Sequence, residues 1–214
     1  MTTLRFLREI LLGKTLARIL FNKKLEELNV NLSGNVFDFG SGAGTGSYFR
    51  FMSKQHDIKI NTVDIDPNSK ATIKADLNKA FPKKVQNADA ILAFNVIQYI
   101  ESPYDFLAKC RRILKPGGKI YCNFYFMSPI QDHPADLYRF SDRAIELLIR
   151  ENNFLSVQIY PYGGRFSNCI SLFDNNIIKL IRLFVYPIIL VLDFFDKESR
   201  TCPMGYICVL QGKK

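Results

Sequence analysis

The chain has 214 residues, 48% of them hydrophobic and 23% charged, a balance that supports one full core and argues against disorder. Its 29 basic and 20 acidic side chains leave a formal net charge of +9, which favours anionic partners, but no block of like charges marks a nucleic-acid tail. Cysteines at 110, 122, 169, 202 and 208 form no C-x-x-C pair and no ligand-spaced cluster with the histidines, so reduced thiols, a cytoplasmic setting and no metal site are expected.

Met1 to Leu28 mixes leucine and isoleucine with Arg5, Arg8, Lys14, Arg18, Lys23 and Lys24 and lacks the uninterrupted apolar core of a secretory leader. Gly13 divides it into two short helices. Residues 1–30 are expected to cap the ligand pocket built by the next segment; contact with an anionic membrane is the alternative.

Residues 36–39, Val-Phe-Asp-Phe, read as a buried strand running into a turn with glycine at 40, 42, 44 and 46. Alternate glycines let the backbone turn sharply and approach a ligand closely. In an open parallel sheet, the carboxyl end of the first strand is where nucleotide-like ligands lie. The dinucleotide fingerprint G-x-G-x-x-G fails in every register, because Thr45, Ser47 and Phe49 stand where its last glycine belongs. What fits is acidic-x-G-x-G-x-G, with Asp38, Gly40, Gly42 and Gly44. This pattern resembles motif I of the class I S-adenosylmethionine-dependent methyltransferases, and a carboxylate beside the loop suits a ligand bearing an ammonium group.

A helix over roughly Ser47–Gln55 and a second strand over 58–63 follow, ending at Asp64-Ile65-Asp66-Pro67. A carboxylate at this strand end can accept two hydrogen bonds from a ribose diol, having two acceptor oxygens and no donor. Asp64 holds that position, and Asp66 is better suited to cap the next turn. The run is similar to the segment that follows motif I in the family. At Ala75-Asp76-Leu77 the resemblance implies an aspartate facing the adenine amino group and a leucine packed on the ring; without it the triplet reads as a surface turn. Residues 88–100 give a fourth strand emerging at Asn95, which resembles motif IV, where the strand end lies beside the methionine part of the cofactor. A helix over about 103–113 and a Pro116-Gly117-Gly118 turn then launch a fifth strand at 119–126.

The resemblance spans about 36–126. It implies S-adenosyl-L-methionine as cofactor, held by Asp38, Gly40, Ser41, Gly42, Gly44, Asp64, Ile65, Asp76, Leu77 and Asn95. The strand–helix alternation calls for an α/β fold. With the resemblance it implies a Rossmann-like, seven-stranded, mostly parallel sheet with helices on both faces and an antiparallel last strand, in one domain over 1–214. One departure is Tyr99, where many relatives carry a histidine; it could donate a hydrogen bond or pack as an ordinary aromatic.

Residues 127–214 form the substrate half. The loop Met127–Phe140 must cross the carboxyl edge of the sheet, and it concentrates Asp132, His133, Asp136, Tyr138 and Arg139 in a segment with two prolines. His133 is the candidate general base, oriented by Asp132 or Asp136, or else a loop-fixing histidine. Arg139 could grip a phosphate or carboxylate, or pair with Asp136; Tyr138 completes the catalytic candidates. The run His-Pro-Ala-Asp-Leu-Tyr-Arg-Phe resembles a segment of methyltransferases of surface-polysaccharide and lipid-linked sugar pathways. Ser141 reads as the cap of a helix over 142–152, with a sixth strand at 154–160 and a seventh at 204–211. Between them lies a helical insertion, about 166–196. Its uncharged run Leu183–Leu192 is too short to cross a bilayer, so it walls the cleft or presents an apolar patch to lipid.

The function expected is methyl transfer to oxygen or nitrogen of a small-molecule, glycan or lipid-linked acceptor. Methylation of RNA or protein is the alternative. Against it, Ala-Phe-Asn-Val stands where amino-base methyltransferases carry Asn/Asp-Pro-Pro-Tyr, and basic residues do not cluster with aromatics. A cofactor-binding partner subunit without chemistry is the other, against which the polar loop at 131–139 argues. The sequence carries no signal of oligomeric state.

Overall fold

Continuous apolar runs, bounded by glycine, proline and asparagine, assemble one seven-stranded sheet in the computed structural model, which describes residues 1–42, 44, 46–131, 135–173, 178–198 and 201–212. Its strands are β1 (Asn35–Phe39), β2 (Lys59–Asp64), β3 (Ile73–Lys74), β4 (Ala88–Ala93), β5 (Leu114–Tyr125), β6 (Ser156–Tyr162) and β7 (Gly205–Gln211). They lie in the order β3-β2-β1-β4-β5-β7-β6. All described pairings are parallel except those of β7, which runs antiparallel between β5 and β6. The chain leaves β1 toward β2 and β3, then returns to place β4 on the other side of β1. The carboxyl ends of β1 and β4 therefore flank a topological switch point, where ligands bind in such sheets.

Side chains alternate across the pleat, and both faces are covered. Phe37 and Phe39 of β1 join Ile91, Ile120 and Phe124 on one face, beneath α3 (Pro103–Ile113) and α4 (Asp142–Glu151). Val36, Leu92, Tyr121 and Ile207 point to the other, where α1 (Thr3–Leu11), α2 (Leu16–Glu27), α5 (Arg165–Ser171) and α6 (Lys179–Phe195) pack. Asp38 shares the parity of Val36 and so faces the N-terminal helices.

Local signals set the helix starts. Thr15, Ser102 and Ser141 each accept a hydrogen bond from the amide three residues on, at 3.3 Å, with Pro103 at the first position of α3. Ser141 is thus the cap expected for α4.

Two elements differ from expectation. In place of a helix over Ser47–Gln55 there is one 3₁₀ turn, Ser47–Phe51, and then Ser53–Lys54 pairs in parallel with Asn31–Leu32. Tyr48, Phe49 and Phe51 are all buried against the α2 side, and the backbone is already extended at Met52, φ −127° and ψ 145°, to make that pairing, which leaves length for one turn only. The Pro116-Gly117-Gly118 segment does not precede the fifth strand but loops out of it: Leu114 pairs with Ala88 and Lys119 with Ala90, with Gly117 at φ +78°.

Candidate active site

The turn after β1 begins at Gly40, with φ +68°, where a Cβ would lie 2.6 Å from Cγ2 of Val96. Gly42 is also left-handed, and its N–H donates to Oδ2 of Asp64 at 2.7 Å. The other Asp64 oxygen accepts from the Asp66 N–H at 2.9 Å. The end of β2 therefore holds the glycine turn in place. Below the turn, Asp38 is fully buried; the Tyr48 hydroxyl donates to its Oδ1, while Oδ2 has no hydrogen-bond partner among the described residues. Burial pushes the Asp38 carboxyl up to about 7, against the lowering effect of the Tyr48 hydrogen bond.

A cavity of about 220 Å³ opens above these strand ends. Gly40, Asp64, Ile65, Asp76, Leu77 and Asn95 line it, together with Asn78, Val96, Tyr99 and Ile100. Lys109 fixes its floor from α3, donating to the carbonyls of Leu77, Asn78 and Lys79 at 2.7, 3.1 and 2.8 Å.

A second cavity, about 350 Å³, lies on the far side of Asn95. Lys14, Thr15 and Arg18 at the start of α2 line it, facing Tyr125 and Tyr162 at the ends of β5 and β6. Asn95, at φ +58°, belongs to both cavities. Its N–H donates to Oδ1 of Asn123 at 2.6 Å, and its side-chain oxygen accepts from the Tyr125 hydroxyl at 2.7 Å. Burial pushes that hydroxyl up to about 12, with Arg18 pulling the other way. The Arg18 guanidinium donates to Oγ of Ser47 at 3.2 Å, and no described carboxylate lines this cavity. A groove of about 340 Å³ continues from it along 127–131, sharing Thr15, Ala17 and Tyr125.

Residues 38–122, the part of the chain carrying these strand ends, match the family model described as a methyltransferase domain. The chain carries an S-adenosylmethionine-dependent methyltransferase domain. No curated protein matches it in sequence. Among solved structures, a SAM-dependent methyltransferase from Archaeoglobus fulgidus is 13% identical, with a TM-score of 0.57 over 97% of this chain and 99% of its own. A chain of the complex between the Haloferax volcanii Trm112 methyltransferase activator and the putative methyltransferase is 16% identical, with a TM-score of 0.55 and 98% of each chain covered. Haemonchus contortus phosphoethanolamine N-methyltransferase 2, in complex with S-adenosyl-L-methionine, is 14% identical with a TM-score of 0.53, over 91% of this chain and 52% of that one. At such identities these likenesses are of fold.

The methyltransferase has S-adenosylmethionine as its cofactor, and the residues present fit that group. The orphaned buried Oδ2 of Asp38 and Oγ of Ser41 await partners beside the glycine turn. Each Asp64 oxygen holds one backbone N–H and keeps a lone pair for another donor. Ile65, Leu77 and Ile100 give the smaller cavity apolar walls of the kind an aromatic base packs against. Gly40, Asp64, Ile65, Asp76, Leu77 and Asn95 thus share one cavity, with Ser41, Gly42 and Gly44 in the turn beside it and Asp38 beneath.

The loop candidates fall elsewhere. His133 lies outside the described residues. The Tyr138 hydroxyl donates to the carbonyl of Glu101 at 2.7 Å and lines neither cavity. Arg139 makes a bidentate pair with Asp136, at 2.6 and 2.7 Å, and donates to the Ser128 and Pro129 carbonyls, so its guanidinium is engaged in holding the loop. The Tyr99 hydroxyl donates to Oε1 of Gln131, tying that loop to the cofactor cavity. Sequence reasoning missed Arg18, Tyr125 and Tyr162. It did expect an N-terminal cap, but α2 lines the second cavity, not the cofactor one.

Proposed function

We propose that this methyltransferase methylates an oxygen or nitrogen of a small-molecule, glycan or lipid-linked acceptor held in the cavity between Arg18 and Tyr125. The observation supporting this is the place of Asn95, the one residue whose side chain is held by Tyr125 while it lines both the cofactor cavity and its neighbour. S-adenosylmethionine supplies, when bound, an electrophilic methyl group.

Within this reading, Asp64 takes the ribose hydroxyls, and Asp76 and Leu77 take the adenine, with Ile65 against it. Gly40, Ser41, Gly42 and Gly44, with Asp38 below, hold the amino-acid end. Asn95 fixes the junction where acceptor and methyl must meet, and positioning of this sort supplies much of the acceleration of a displacement. Lys14 and Arg18 give the acceptor side a positive field unopposed by any described lining carboxylate. His133 is the proposed proton acceptor.

The test is incubation with labelled S-adenosylmethionine and cell extract separated into lipid, glycan, small-molecule, RNA and protein fractions. Label is expected in one of the first three. Tyr125→Phe is expected to lower turnover roughly tenfold, the worth of one hydrogen bond, with binding of the demethylated cofactor unchanged. Label confined to RNA or protein overturns the acceptor class.

A further inference from the structure

α6 is apolar around most of its circumference, interrupted by Lys179, Arg182 and Asp193. On one side Arg182 and Tyr186 are buried against the N-terminal helices and the core. On the other, Leu180, Phe184, Ile188, Val191 and Phe195 stand exposed at three- and four-residue spacing, Phe184 by 70% and Phe195 by 75%. α1, which packs on α6, divides in the same way: Glu9 and Ile10 are buried, while Leu4, Arg8 and Leu11 share an exposed face. Scattered exposed leucines need no explanation, but contiguous helical stripes of them mark a contact surface.

The charges on these helices say what kind of surface. Among the described residues, α1 and α6 expose no acidic side chain. Glu9 is buried, and Asp193 is committed to the start of α5, accepting from the Phe166 and Ser167 N–H groups at 2.8 and 3.1 Å. The cations beside the apolar stripes are Arg8 and Lys14, and neither takes part in a described ion pair. Apolar residues edged by unopposed cations complement an anionic lipid surface, whereas a second copy would bring like charges together. The helix cannot cross a bilayer: it has 17 residues, carries Pro187 and packs Tyr186, Leu183 and Ile189 against the core. It is suited to lie in the plane of the interface. Arg182 of α6 donates to the Lys14 carbonyl at 3.5 Å, and Lys14 lines the acceptor cavity, so this face and that cavity share a wall.

We propose that the outward faces of α6 and α1 seat the methyltransferase on an anionic membrane surface, with the acceptor cavity beside it, and that its acceptor is lipid-linked. The acceptor half rests on the proposed function; the membrane half does not.

The test is flotation of the full chain with phosphatidylcholine vesicles, with and without phosphatidylglycerol. Retention is expected on the anionic vesicles and is expected to weaken with salt. Phe184→Ser and Ile188→Ser should each lower partitioning roughly tenfold, as loss of a buried apolar side chain implies. Arg8→Glu should lower it roughly fivefold or more on anionic vesicles only. Calorimetry with the demethylated cofactor on the same samples, unchanged in all variants, shows that they are folded and keeps the methyltransferase reading separate. Absence of retention on the anionic vesicles overturns the proposal, as does retention that the variants leave unaltered. Self-association abolished by Phe184→Ser, without vesicle binding, would make this face a seam between copies and overturn it too. Label appearing only in water-soluble acceptors overturns the lipid-linked half alone.

Discussion

The Gly42 amide and the Asp64 carboxylate meet at 2.7 Å, so the group expected to hold the cofactor's sugar also holds the glycine turn. One substitution should then damage two parts of the site. Asp64→Asn puts an NH₂ group where a backbone N–H now donates, either from Gly42 or from Asp66. Hydrogen bonds to a charged acceptor are worth roughly 1.5–3 kcal/mol, so a loss of about ten- to a hundredfold in cofactor affinity is expected. Asp64→Ala should lose at least as much. Titration calorimetry with S-adenosylhomocysteine reads this directly; affinity untouched in both variants would detach Asp64 from the cofactor.

Two glycines two residues apart should respond differently to alanine. At Gly40 the added methyl meets Val96 at 2.6 Å and the backbone is at φ +68°, whereas at Gly42, φ +57°, nothing lies within 4 Å. Gly42→Ala carries only the cost of a left-handed conformation, about 1–2 kcal/mol. Gly40→Ala adds the clash and should lose more, both in urea unfolding and in cofactor affinity. Combining it with Val96→Ala should recover the steric part and leave the conformational part, a difference that a double-mutant cycle isolates.

Asp38 makes stability depend on pH in an uncommon direction. Its folded carboxyl sits at about 7 against an ordinary value of 3.8, so between these values the folded state binds more protons than the unfolded one. Stability from this group is complete below the ordinary value, falls as pH rises through the interval, and is flat above 7; the full span is about 4 kcal/mol. Asp38→Asn removes the charge and should remove this slope. The expected result is a variant whose melting temperature, relative to the parent, rises from pH 4 to pH 7 and then levels. Its affinity for the cofactor, with an ammonium group to meet, should fall over the same range. Parallel melting profiles would show that Asp38 does not titrate there.

Strands and strand ends were legible because burial on both faces writes continuous apolar runs, as in Val36–Phe39 and Ala88–Phe94, and because each strand end fixes where its polar residue must stand. Asp64 and Asn95 could be placed at strand ends from the alternation of elements, whereas Asp76 needed the family resemblance. The turn after Ser47 was not legible: a helix there is cut short by the pairing of Ser53–Lys54 with Asn31–Leu32, a contact between distant segments that no local pattern announces. Nor was the second cavity. Tyr125 and Tyr162 read as core aromatics within their strands, and only the return of α2 from the amino terminus brings Arg18 to face them. Arg139 shows the limit in a single residue, since its spacing from Asp136 allowed either a substrate clamp or a loop brace, and the contacts favour the brace.

That brace can be tested against the clamp. Arg139 holds the Asp136 carboxyl below its ordinary value, and the Asp136 side chain is only 3% exposed. For a carboxylate depressed in this way, the stabilisation is present above its unfolded pKa and is lost as pH falls through the folded one. Arg139→Ala and Asp136→Ala should therefore each destabilise at neutral pH, and the double variant should lose little more than either. A coupling of roughly 1–2 kcal/mol is expected, between that of exposed and buried pairs, and it should vanish in acid. In steady-state kinetics both single variants should raise KM for the acceptor alike and leave cofactor affinity alone. If Arg139→Ala raised KM while Asp136→Ala did not, the guanidinium would be gripping the acceptor directly and the brace would be its secondary role.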